Sequence, residues 1–241
     1  MSLSLFEVLS EKLPSLTLKR EELLSHHTSF RIGGPAEVMA FPHTVGELSD
    51  LLRTVSALGV RPALLGAGTN VLAPDEGLRG LVIVTRDCLM CLERTDETHI
   101  AALAGVSMAK LAIFAQEANL TGLEFAHGIP GTVGGGVYMN AGAYGGEIMQ
   151  VAEKTDFLHM DGSMQTFTGV AQGFAYRTSA FQSMQGVIVR TVFALTQGKR
   201  EAIRAHMQEL AEKRRASQPL ELPSAGSAFK RPVGGYAAAL I

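Results

Sequence analysis

Residues 122–146 read G-L-E-F-A-H-G-I-P-G-T-V-G-G-G-V-Y-M-N-A-G-A-Y-G-G. They hold nine of the chain's 26 glycines and a single charged side chain, Glu124. A flexible linker of that glycine content would be polar. Here the glycines are interleaved with Leu123, Phe125, Ile129, Val133, Val137, Tyr138, Met139 and Tyr144, which favour burial. Glycine among buried apolar residues marks backbone pressed against something, because a missing Cβ permits unusual φ/ψ and near contact. Two readings fit: tightly packed turns with no ligand, or a concavity whose amide N–H groups receive an anion such as phosphate. A second glycine loop, Gly66-Ala67-Gly68-Thr69-Asn70, repeats the signal and favours the anion.

Composition narrows the class. The chain has 241 residues, 46% apolar and 18% charged, with net charge −2. That is an ordinary globular composition of one to three domains with room for a sizeable core. A nucleic-acid binder would show a basic excess, so no nucleic-acid partner is expected. No apolar run reaches membrane-span length, and no basic start with an apolar core opens the chain; the expectation is a cytoplasmic protein with no membrane association. Cys88 and Cys91 form a lone C-x-x-C without the further ligands zinc requires, so no metal is expected and both thiols read as strand-edge or core residues. His26-His27 reads as a polar loop pair.

The local patterns predict α+β. Leu5, Val8 and Leu9 have helical spacing closed by Pro14, making 1–25 an N-terminal helical segment. A turn at Gly33-Gly34-Pro35 leads to a strand at Val38–Phe41. Thr44-Val45-Gly46-Glu47 is a capping-box pattern opening a helix with Leu48, Leu51, Leu52 and Val55 on its apolar face, stopped by Gly59. Arg61–Leu65 reads as a strand running into the Gly66 loop, which thus sits at a strand's carboxyl end, where α/β ligands bind. Short strands are expected at Leu81–Thr85 and His99–Leu103, and a helix capped by Ser107 and ended by Asn119. Val151–His159 and Met164–Thr168 read as a hairpin about Asp161-Gly162, Val187–Leu195 as a central strand and Lys199–Ser217 as a helix. A break falls near Gly198. The terminal run from Tyr236 to Ile241 is apolar, helix-prone and uncapped, which reads as a chain continuing beyond Ile241.

Gly66-Ala67-Gly68-Thr69-Asn70-Val71 lacks the third glycine of the G-x-G-x-x-G fingerprint, since Val71 occupies that place, and no helix opens at the loop. A nicotinamide Rossmann site is therefore not expected. A glycine loop after a strand still presents N–H groups to a diphosphate, and 129–136 would supply a second cradle. Two cradles suit an extended dinucleotide such as FAD. In 174–181, F-A-Y-R-T-S-A-F, Arg177 lies between aromatics and is either packed on a ring or aimed at an anion. Ser227, in S-A-G-S-A-F-K-R-P, is either a turn residue or a functional hydroxyl; no G-x-S-x-G elbow surrounds it.

Taken together, these segments resemble one family. T-S-F-R-I-G-G-P-A (28–36), L-G-A-G-T-N-V-L (65–72), G-L-E-F-A-H-G-I-P-G-T-V-G-G (122–135), M-N-A-G-A-Y-G-G-E (139–147), Y-R-T-S-A-F (176–181) and the run from Gln218 to Pro232 follow, in order, the pattern of the UDP-N-acetylenolpyruvoylglucosamine reductases (UDP-N-acetylmuramate dehydrogenases). The resemblance covers about residues 26–241 and matches the shorter subclass, which lacks a tyrosine-bearing inserted loop. It implies an α+β fold: a two-part FAD-binding unit of the vanillyl-alcohol-oxidase (PCMH) type over 26–196, with subdomains at about 26–95 and 96–196, then an incomplete substrate-binding domain over 197–241.

The resemblance further implies a monomeric flavoenzyme that uses NADPH to reduce the enolpyruvyl ether of UDP-N-acetylglucosamine-enolpyruvate in peptidoglycan synthesis. It assigns catalysis to Arg177 and Ser227. Cofactor binding falls to Gly66, Ala67, Gly68, Thr69, Asn70 and Val71, with Gly128, Ile129, Pro130, Gly131, Thr132, Gly134, Gly135, Asn140, Ala141 and Gly142. Substrate binding falls to Tyr176, Arg215, Lys230 and Arg231. The family's third catalytic group, a glutamate in its final segment, has no counterpart before Ile241, so impaired turnover is expected of this form. The alternative is a non-catalytic flavin- or nucleotide-binding truncation or degenerate paralogue.

Overall fold

The structure is a computed structural model that describes residues 3–227 together with 229, 232, 234, 235, 237 and 240. Lys230, Arg231 and most of the apolar run 236–241 lie outside the described residues.

Helix α1 spans Leu5–Lys12, with Ser4 and Glu7 exchanging cap hydrogen bonds, and ends ahead of Pro14. The helical expectation for 1–25 fails beyond it: Thr17–Leu23 is a strand, β1, antiparallel to β2 (Pro35–Phe41). Its T-L-K-R-E-E-L sequence hides it, because an edge strand tolerates charge on exposed positions. The Arg20 guanidinium lies 4.2 Å over the Phe6 ring, tying the strand to α1.

Helix α2 (Val45–Ala57) buries Leu48, Leu51, Leu52 and Val55 completely. Thr44 caps it, its Oγ1 accepting from Glu47 N at 3.1 Å, while the Glu47 carboxylate accepts from His43 N at 2.6 Å. Thr44→Ala is expected to lower stability by about 1 kcal/mol; an unchanged urea midpoint would show the cap to be idle. Strands β3 (Ala63–Leu65) and β4 (Leu78–Val84) complete the first sheet, in the order β1-β2-β4-β3. Both β2 and β3 run parallel to β4, which inserts between them. Leu65 therefore delivers residues 66–71 to the carboxyl edge of a parallel sheet.

The second sheet is built from β5 (Leu92–Arg94), β6 (His99–Leu103), β10 (Ala152–His159), β11 (Met164–Thr168) and β12 (Gly186–Ala194), in the order β11-β10-β12-β6-β5. The hairpin and the central β12 fall where the alternation places them. Cys88 and Cys91 lie in the connection before β5 and not in a strand; burial, with Asp87 alongside, pushes the half-buried Cys88 thiol up to about 11. Helix α3 (Met108–Glu117) is capped by Ser107, and Asn119 turns left-handed at φ 61° just past its end. Three small strands follow, β7 (Leu120–Thr121), β8 (Gly142–Ala143) and β9 (Gly146–Glu147), and β7 pairs with β13 (Thr196–Gln197).

The 129–136 stretch is not the bare loop that its composition suggests. Val133–Tyr138 forms a short helix, α4, capped by Thr132. Three consecutive glycines each cost a helix about 1 kcal/mol. Their missing side chains are what allow the packing: a Cβ on Gly134 would lie 2.8 Å from Ala104 Cβ, and one on Gly136 would lie 2.7 Å from Met108 Sδ. Helix α5 (Arg200–Ser217) buries Ile203, Met207 and Leu210. Ile203 and Met207 belong to the same core as Leu111, Phe125 and Phe193, so the break at Gly198 is a turn with a continuous core across it.

Candidate functional site

The two glycine loops come together. Thr69 Oγ1 donates to Pro130 O at 3.1 Å, and a Cβ on Gly66 would lie 2.7 Å from Thr132 Oγ1. The first loop is pinned from below, where Ser29 donates to Gly68 O through N at 3.0 Å and Oγ at 3.3 Å. Among the described residues, none of the six backbone N–H groups from Gly66 to Val71 donates to a protein acceptor. The same holds for Gly128, Gly131 and Thr132 in the second loop, whereas Ile129, Val133 and Gly134 donate to Ala126, Val106 and Ala104 carbonyls. Buried or half-buried N–H groups left this way require an outside acceptor. Eight of the nine lie on buried or half-buried residues, Asn70 being exposed, and in two touching loops they suit the oxygens of a diphosphate.

Arg177 stands at the other end of α4. Its φ is 54°, in a four-residue turn closed by Ala175 N–H to Thr178 O at 3.0 Å and Thr178 N–H to Ala175 O at 3.1 Å. The guanidinium donates from Nη1 to Asn140 O at 3.2 Å and from Nη2 to Gly142 O at 2.8 Å, and lies 5.0 Å over the Tyr176 ring. Of the two options left open by the sequence, packing on a ring is the one observed, with two backbone carbonyls as further partners. A guanidinium has five N–H donors, so two spent on carbonyls leave three for an anion. Phe181, stacked on Phe157 at 5.6 Å in the second sheet, anchors the segment behind the turn.

Asn140, expected among the cofactor-binding residues, turns its side-chain amide toward the protein. It is fully buried, and both amide hydrogens are committed to the protein, to Glu147 Oε2 at 3.0 Å and Ala175 O at 2.9 Å. Ser227 is exposed at the end of a segment that docks on the first loop. Ser29 Oγ donates to Ser224 O at 2.5 Å, and a Cβ on Gly226 would lie 3.3 Å from Asn70 Oδ1. So the hydroxyl-bearing segment meets the Gly66 loop, and the guanidinium meets the turn that follows the second loop.

Arg215 lies elsewhere on α5, exposed, lining an open groove of about 810 Å³ with Gln116, His127 and Arg204. Its neighbour Arg214 is the residue that reaches the glycine loops, its Cδ 3.3 Å from where a Gly128 Cβ would be. Helical phase identifies it: Ile203, Met207, Leu210 and 214 fall on one face, and 215 is turned about 100° away. His27 is likewise not a polar loop residue. It is buried, with Nε2 2.9 Å from Glu22 Oε1, and with Lys19 it holds the Glu22 carboxyl below the usual carboxylate range.

Comparison with known proteins agrees with this geometry. Residues 36–168 match the model of an FAD binding domain. A UDP-N-acetylenolpyruvoylglucosamine reductase from Levilactobacillus brevis is 42% identical over 228 residues, covering 95% of this chain and 74% of the relative.

This chain belongs to the UDP-N-acetylenolpyruvoylglucosamine reductase family.

Among solved structures, the UDP-N-acetylenolpyruvylglucosamine reductase of Thermus caldophilus superposes with a TM-score of 0.79 at 32% identity, over 94% of this chain and 79% of that one. BBE-like 1 of Physcomitrella patens shares the fold at 14% identity and a TM-score of 0.58, over 81% of this chain and 45% of that one. The reductase family fold is α+β with an FAD-binding unit of the vanillyl-alcohol-oxidase (PCMH) type, as the sequence implied.

Proposed function

We propose that the protein is the FAD- and NADPH-dependent reductase that converts UDP-N-acetylglucosamine-enolpyruvate to UDP-N-acetylmuramate in the cytoplasm, as a monomer, in the service of peptidoglycan synthesis. The observation that carries this reading is the pair of touching glycine loops with nine unengaged N–H groups, joined through α4 to a guanidinium with spare donors. The six residues of α4 rise about 9 Å, so the loops and Arg177 together serve a ligand much longer than a diphosphate. In this reading 26–196 bind the flavin and 197–241 belong to the substrate domain.

FAD, when bound and reduced by NADPH, would supply the hydride that the terminal carbon of the enolpyruvyl group accepts. The chain's own residues do the rest. Residues 66–71, Gly128, Gly131 and Thr132 hold the flavin diphosphate through backbone N–H groups. The three spare donors of Arg177 meet the substrate carboxylate and stabilise the charge that moves onto it as hydride arrives, a contribution of about 3 kcal/mol for one well-placed donor. Ser227 gives a proton to the carbon next to that carboxylate; a hydroxyl is a weak acid, adequate because an enolate carbon is strongly basic. Tyr176 and Arg215 are assigned to the substrate, and Arg214 joins them from its place against Gly128.

Purified protein is expected to be yellow, to bleach anaerobically with NADPH, and to recover colour on addition of the enolpyruvyl substrate, forming one product per NADPH. A colourless protein would refute the flavin reading. Bleaching without substrate-driven recovery would refute the reductase reading and leave a flavin-binding module.

A further inference from the structure

We infer that Asn140 is a positioning residue for the Arg177 guanidinium, acting through its side-chain amide. The inference rests on the reading of Arg177 as the group that meets the substrate carboxylate. Three observations carry it. Asn140 is fully buried at φ 42°, a left-handed conformation that asparagine adopts more readily than most residues. Its Oδ1 accepts from Met149 N at 2.9 Å, and its Nδ2 donates to Glu147 Oε2 and, across 35 residues of sequence, to Ala175 O. Ala175 is the first residue of the closed turn that carries Arg177, and the Asn140 backbone carbonyl is itself an acceptor for Arg177 Nη1.

One residue therefore grips the arginine twice, through the turn by its side chain and through the guanidinium by its carbonyl. Gln182 holds the third side, its Nε2 donating to Arg177 O at 3.1 Å. The arrangement fixes which donors of Arg177 are spent and which remain. A buried amide with every hydrogen engaged specifies one geometry, and losing half of its bonds loosens the whole network.

The test uses the ¹⁵N-labelled 241-residue chain and follows the backbone N–H of Thr178, which closes the arginine turn on Ala175 O at 3.1 Å. Asn140→Asp keeps size and left-handed tolerance and still accepts from Met149, but it cannot donate to Ala175 O, and it sets a carboxylate against Glu147. Exchange of the Thr178 N–H with water is expected to quicken by about 10-fold or more as the turn opens locally. Glu147→Gln, whose Oε1 can still accept from Nδ2, should leave it near the parent rate. Parent-like exchange in Asn140→Asp, or equal damage in Glu147→Gln, would overturn the inference.

If Asn140→Asp does not fold, Asn140→Gly, which suits the backbone and retains the carbonyl, carries the same expectation. Failure of both to fold would make the amide a general structural post and sink the claim. In flavin-loaded protein, Asn140→Asp should lower kcat about 100-fold, the scale of a 1 Å misplacement, with the KM for NADPH unchanged. In an Arg177→Ala background it should add little. A parent without turnover would sink the reductase reading and leave the exchange result to judge Asn140 alone.

Discussion

Gly68→Ala is expected to give a protein that no longer retains flavin and unfolds at markedly lower urea concentration. Gly68 has φ 63°, and a Cβ there would lie 2.1 Å from His27 O, 2.8 Å from Thr28 Cα and 3.0 Å from His27 C. All three are backbone atoms, so no side chain can swing aside. The left-handed conformation costs alanine about 1–2 kcal/mol, and forcing an extra carbon into a filled space costs about 1–3 kcal/mol more. The sum, about 2–5 kcal/mol, is a large share of the roughly 5–15 kcal/mol that holds a domain together. The cheapest relief is for the loop to lift off Ser29, which breaks both hydrogen bonds to Gly68 O and disperses the six N–H groups of the cradle. Gly59 is the matched control: its φ is 69°, but nothing lies within 4 Å of its Cβ position. Gly59→Ala should cost only the conformational part, about 1–2 kcal/mol, and leave flavin content at the parent level. Equal urea midpoints and full flavin content in both variants would show that the close approach at Gly68 is not what shapes the loop.

How much of this was legible in the sequence depends on whether the deciding force was local. Helices α2 and α3 were legible from caps and apolar spacing, α5 from apolar spacing alone, and the β10–β11 hairpin and central β12 from turn residues and alternation. Strand β1 was not, since its hydrogen-bond partner β2 lies beyond a turn and its own residues are mostly charged. Helix α4 was hidden by intrinsic preference. Three glycines argue against a helix, and only the nearness of Ala104 and Met108 explains why nothing larger fits there. The insertion of β4 between β2 and β3 is a parallel pairing fixed by burial on both faces, which no local pattern announces. At the site, the glycine loops, Arg177 and Ser227 were found by residue type and motif. The grip of Asn140 on the arginine turn and the reach of Arg214 to Gly128 depend on tertiary contact, although helical phase pointed to 214 over 215.

Arg177→Ala should abolish most of the substrate half-reaction, and the form of the loss tells what the arginine does. If its spare donors face the substrate carboxylate, losing even one well-placed donor withdraws about 3 kcal/mol of charge stabilisation, so the rate at which substrate recolours reduced flavin should fall by about 100-fold or more. Arg177→Lys should recover little, because a point charge replaces a planar fork that must serve Asn140 O, Gly142 O and a carboxylate together. Ser227→Ala provides the contrast. Its segment is held by hydrogen bonds between Ser224 and Ser29 and by the approach of Gly226 to Asn70, so the exposed hydroxyl can be removed without disturbing the cradle. Bleaching by NADPH should then proceed as in the parent while product formation stops, since hydride can be delivered to the flavin without the proton that completes the product. Stopped-flow absorbance at the flavin band separates the two steps directly. Product at the parent rate from Ser227→Ala would move the acid to another group, and parent-like recolouring in Arg177→Ala would leave its two carbonyl contacts as the whole of its role. The two substitutions thus probe neighbouring groups of one substrate, the guanidinium stabilising the charge that hydride creates and the hydroxyl removing it.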